Sequence, residues 1–143
     1  MVTYLLKKSY QLKNLKEIKF QDLWEQHGIF TTMWIFGNPP KILFFNNHVR
    51  NLISSLGKYK INKRSLRKDI VKIINKNLSK KINYNHLLRV AINKRIISIS
   101  LRKRLSPKLD FTLKLVNLKR ARPEYKNLKY KKILSHLKKI DNS

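Results

Sequence analysis

The chain has no cysteine among its 143 residues, which excludes a disulfide framework, a thiolate metal site and a cysteine nucleophile together. Histidine is scarce as well: His27, His48, His86 and His136 share no ligand spacing, so no zinc or iron centre is expected. Long apolar runs are missing. The longest stretch free of Lys, Arg, Asp and Glu, residues 26–40, is too short to span a bilayer and contains glycine, asparagine and two prolines. The start, MVTYLLKK, meets Lys7 and Lys8 too early for a signal-peptide core. These absences imply a soluble, cytoplasmic protein. Glycine (3) and proline (4) are also few, so turn markers are sparse and the architecture has to come from periodicity.

Negative charge is the remaining shortage. Seven acidic residues face 34 basic ones, for a formal charge of +27. Such an excess points to polyanions, because each cation held near a phosphate releases condensed counterions. Base composition offers a second origin. Lys, Asn and Ile supply 55 residues, Lys outnumbers Arg 25 to 9, and all three favoured residues can be written with A and T codons. The excess is uneven: residues 1–60 carry 9 basic and 3 acidic side chains, residues 61–143 carry 25 and 4. With 42% apolar and 10% aromatic residues, the chain has enough surface to bury for one folded domain.

Residues 1–25 are ambiguous, since Leu12, Leu15 and Leu23 suit a short helix but lysines interrupt the pattern. Residues 29–36, within GIFTTMWIF, are β-branched and aromatic; Gly37, Asn38, Pro39 and Pro40 form a turn before KILFF, giving a β-hairpin in which Trp34 and Phe36 pack on the sheet. Asn46 or Asn47 can cap a helix carrying Val49, Leu52, Ile53 and Leu56 on one face until Gly57. A second helix starts near Ser65, with Leu66, Ile70, Ile73 and Ile74 inward and Lys68, Lys72 and Lys76 outward. Strands are expected at 86–93, 95–102 and 110–118, the first two as a tight antiparallel pair, and a helix over 126–140. The class is therefore α+β, a small antiparallel sheet with packed helices in the order β-β-α-α-β-β-β before the closing helix.

Two segments carry a resemblance. Residues 27–56, HGIFTTMWIFGNPPKILFFNNHVRNLISSL, and residues 121–134, ARPEYKNLKYKKIL, resemble the class IV family of pyridoxal-phosphate-dependent enzymes, which includes branched-chain aminotransferase, D-amino acid aminotransferase and aminodeoxychorismate lyase. Gly28, Phe30 and Thr32 match that family's strand motif, and His48 and Leu52 match its H-x-x-R-L helix. Lys126, preceded by Pro123 and followed by Leu128 and Tyr130, stands where the Schiff-base lysine stands. The family's phosphate-binding arginine falls on Asn51. Arg50 lies one place earlier, turned by about 100° on a helix.

The resemblance, over residues 20–140, implies an aminotransferase or related lyase acting on an amino acid and 2-oxo acid, or on aminodeoxychorismate. Its cofactor would be pyridoxal 5'-phosphate, its catalytic residue Lys126, and its cofactor-binding residues Lys126, Asn51 and Arg50. His48 is expected as a helix-start side chain. An imine forms from a neutral amine, and Arg120, Arg122, Lys129, Lys131 and Lys132 would favour that form by repulsion. The implied organisation is the first domain of the class IV fold over residues 1–118, an interdomain connector over 119–125, and over 126–143 the opening helix of a second domain cut short, in a protein that dimerises when whole. The alternative drawn from charge alone is a basic RNA- or ribosome-associated protein without catalysis.

Overall fold

The computed structural model describes residues 2–106, 109 and 115–141. The elements follow as β1 (Tyr4–Gln11), β2 (Glu17–Ile18), β3 (Gly28–Gly37), β4 (Lys41–Ile42), α1 (Phe45–Gly57), α2 (Leu66–Asn77), β5 (Tyr84–Asn93), β6 (Ile96–Lys103) and α3 (Lys131–Asp141). The six strands form one antiparallel sheet in the order β2-β1-β6-β5-β3-β4, so the α+β class holds.

Strand alternation divides the sheet into two faces. Ile29, Met33 and Ile35 of β3, Leu88, Val90 and Ile92 of β5, and Ile97, Ile99 and Leu101 of β6 form the core with the inward faces of α1 and α2. The expected stripes are the buried ones: Val49, Leu52 and Leu56 on α1, and Leu66, Ile70, Ile73 and Ile74 on α2. Each such side chain stabilises by roughly 1.5–3 kcal/mol when fully buried. Lys68, Lys72 and Lys76 are exposed as expected. On the opposite face a smaller cluster joins Leu23, Phe30, Ala91 and Leu128, with Trp24 and Tyr130 against it. Trp34 and Phe36, 4.6 Å apart, are half-buried on that face. Among the described residues no helix is long and apolar enough to cross a membrane.

Four expectations change. The ambiguous N-terminal stretch contains a strand, β1, whose Leu6 and Tyr10 face the core while Ser9 shares a 2.7 Å hydrogen bond with Ser98 of β6. Helix α1 is not capped by Asn46 or Asn47. The N-cap is Phe44 in the left-handed region at φ 52°, and the asparagines lie in the first turn. The predicted strand 110–118 has residues 110–114 outside the described residues, and 115–118 form no strand. Finally, the closing helix begins at Lys131, so residues 126–130 lie outside it. They lie beside the start of β3 through a single bridge between Ile29 and Asn127: Phe30 N–H donates to Lys126 O (2.9 Å), and Leu128 N–H donates to Gly28 O (3.1 Å).

Candidate functional site

Three pieces of chain meet at the site: the start of β3, the middle of α1, and residues 124–128. The last is fixed by its own chemistry. The buried Asn127 side chain donates to the carbonyls of Ala121 (2.6 Å) and Arg122 (3.1 Å) and accepts from Lys129 N–H (3.0 Å), holding a turn where a helix would otherwise start. Tyr125 and Leu128 point inward on either side of it, both buried. Lys126, between them in the chain, is exposed.

Lys126 there faces α1 across a cavity of about 420 Å³, lined by Ile29, Phe30, Thr31, His48, Asn51, Leu52, Ser54, Ser55, Glu124, Tyr125 and Lys126. The volume lies within the ~300–1,000 Å³ typical of small-molecule sites. On α1 the polar contributors His48, Asn51 and Ser55 sit at i, i+3 and i+7, one helical face. From β3, Thr31 Oγ1 shares a 3.0 Å hydrogen bond with His48 Nδ1, which orients the imidazole. Burial holds the His48 pKa below its ordinary value, and the Lys126 ammonium adds to the effect, so the ring stays neutral to lower pH than a free histidine.

Of the residues selected from sequence, Lys126 and Asn51 therefore share one cavity with His48, whereas Arg50 is exposed on α1 and lies outside the lining. The cations expected to crowd Lys126 are also elsewhere. Arg120 donates to the carbonyls of Pro123 (2.6 Å) and Tyr125 (3.1 Å), Arg122 donates to the Tyr125 hydroxyl (3.0 Å), and none of Arg120, Arg122, Lys129, Lys131 and Lys132 lines the cavity. Thr31, Ser54, Ser55 and Glu124 were not singled out from sequence. Ser55 had a signal, the helical spacing from His48; Thr31 had the inward phase of β3, which puts its neighbour Thr32 on the other face.

The coupling between His48 and Lys126 is measurable. Lys126→Met removes one of the two causes depressing the imidazole pKa, so NMR titration of the His48 ring protons is expected to move upward, toward the ordinary histidine value. By linkage, the depressed pKa contributes stability that is complete above the unfolded-state value and is lost as pH falls toward the folded one. The variant narrows that window. An unchanged titration would place the amine away from the ring.

Comparison of the chain with protein-family models, curated proteins and solved structures found no match.

Proposed function

We propose that this chain is the first domain of a class IV pyridoxal-phosphate-dependent aminotransferase or related lyase, acting on an amino acid and its 2-oxo acid or on aminodeoxychorismate, with Lys126 as the amine that takes the cofactor aldehyde. The observation that supports the reading is that residues from the two segments carrying the resemblance, far apart in the chain, line one cavity: His48 and Asn51 from α1 and Lys126 from beyond the sheet. The α+β architecture is of the kind the resemblance implies.

The lining suits such a group. It offers one primary amine for the aldehyde, the hydroxyls of Ser54 and Ser55 and the Asn51 amide as hydrogen-bond donors to phosphate oxygens, and apolar walls from Ile29, Leu52 and Tyr125. When bound, the cofactor supplies an electron-withdrawing ring that stabilises negative charge at the substrate α-carbon. Lys126 Nζ would then be the base to move the α-proton, with Glu124 also among the lining residues. With Arg50 outside the lining, phosphate binding rests on Asn51 and the hydroxyls.

Borohydride reduction of the chain in the presence of pyridoxal 5'-phosphate, followed by peptide mapping, tests this. The adduct is expected to concentrate on Lys126 rather than spread over the other 24 lysines, and Lys126→Met is expected to abolish the dominant adduct without raising another. An even distribution, or a pattern unchanged in the variant, overturns the assignment.

A further inference from the structure

Away from the Lys126 cavity, three further cavities adjoin one another through shared residues. One of about 340 Å³ is lined by Gln11, Lys13, Lys94 and Arg95. The next, about 430 Å³, shares Lys94 and Arg95 with it and adds Gln26, His27, Tyr59 and Asn93. A third, about 370 Å³, shares Gln26, His27 and Tyr59 with the second and is closed by Arg122 and Lys129 among others. The result is a furrow with five cations distributed along it, Lys13, Lys94, Arg95, Arg122 and Lys129, and no carboxylate in its lining. Among the described residues the ion pairs are Lys8–Glu17 and Lys63–Asp69, so none of the five is neutralised by an ion pair.

We infer that this furrow binds single-stranded nucleic acid. Cations in succession match the repeating charge of a phosphodiester backbone, which one small cavity would not require. At the middle stands the half-buried ring of Tyr59, with the exposed His27 ring 6.5 Å away, a surface on which a base stacks. A recessed aromatic suits a strand laid in a furrow better than a lipid surface, which rewards protruding apolar groups. The inference is independent of the chemistry at Lys126, although the two regions touch: Tyr59 packs edge-to-face on Tyr125, which lines the Lys126 cavity, at 5.9 Å.

Fluorescence anisotropy with a labelled single strand of about 12 nucleotides, within the ~4–16 nucleotides that single-strand grooves cover, tests it in RNA and DNA versions. With five cations contacting phosphates, log K is expected to fall with log salt at a slope of about −3.5, at about −0.7 per contact. Lys94→Glu with Arg95→Glu changes only the exposed β5–β6 turn, whose backbone is held by the Asn93 side chain accepting from the N–H groups of residues 95 and 96. This variant is expected to lose at least about tenfold in affinity and to flatten the slope by about 1.4. Lys68→Glu with Lys72→Glu, an equal charge change on the outer face of α2, is expected to cost less than about threefold. Equal losses from the two pairs would mean that net charge alone binds the strand and would overturn the site. Equally tight, furrow-dependent binding of anionic lipid vesicles or of a mononucleotide would overturn it too.

Discussion

Gly28→Ala is expected to destabilise the protein by about 3 kcal/mol or more, at the upper end of what overpacking costs. A Cβ at this position would lie 2.2 Å from the carbonyl oxygen of Ile92 and 2.9 Å from Leu128 Cδ1. The leucine methyl can rotate; the carbonyl cannot. Ile92 is held in the middle of the sheet by its pairing with Ile29 on one side and Ile97 on the other. Relief therefore requires β3 and β5 to splay at this end, and the 126–128 segment then either moves with β3 or loses its Phe30–Lys126 and Leu128–Gly28 hydrogen bonds. Either route also moves Lys126 away from α1. Urea unfolding measures the first consequence, and the loss of preferential borohydride trapping at Lys126 measures the second. A variant as stable as the parent would show that the close approach at Gly28 is not fixed.

That contact shows why the site was only partly legible in the sequence. Helices α1 and α2 were readable because Val49, Leu52 and Leu56, and Ile70, Ile73 and Ile74, carry their periodicity within a few residues. Residues 126–130 carry a misleading one. Leu128, Ile133, Leu134 and Leu137 fit a helix, but Leu128 is buried against Leu23, Phe30 and Ala91, partners far away in the chain, and Asn127 captures two upstream carbonyls. Long-range packing overrides local pattern there, as it does in β1, where Leu6 and Tyr10 face the core between polar residues that blur the alternation. The α1 start was misread for a different reason. Asparagine caps through its side chain, whereas this helix begins from Phe44, a left-handed residue with no capping side chain. At the site, it was the family resemblance that pointed to Lys126 and Asn51. It could not reveal Thr31 opposite His48, because that pair depends on the phase of β3 against α1.

Arg89 separates charge from packing on the sheet face away from the helices. Its guanidinium lies 3.8 Å from the Trp24 ring centroid and 5.4 Å from that of Phe30, and Nη2 donates to Asp22 O at 2.9 Å, while Nε is buried without a partner. Burial pushes its pKa down to about 10, only partly opposed by the Asp22 carboxylate. Because the folded chain binds this proton less tightly than the unfolded chain, the penalty is present in full below about pH 10 and is relieved as pH rises above it. Arg89→Met keeps an unbranched chain over Trp24 and removes the charge, so it is expected to leave stability unchanged or raise it by about 1 kcal/mol. Arg89→Ala removes the same charge but uncovers Trp24 and Phe30, at an expected cost of about 2–3 kcal/mol. Urea unfolding of both variants at neutral pH, followed by tryptophan emission, measures the difference. If methionine costs as much as alanine, the cation over the indole is itself the stabilising element, and the attraction to the ring outweighs the penalty of burying the charge.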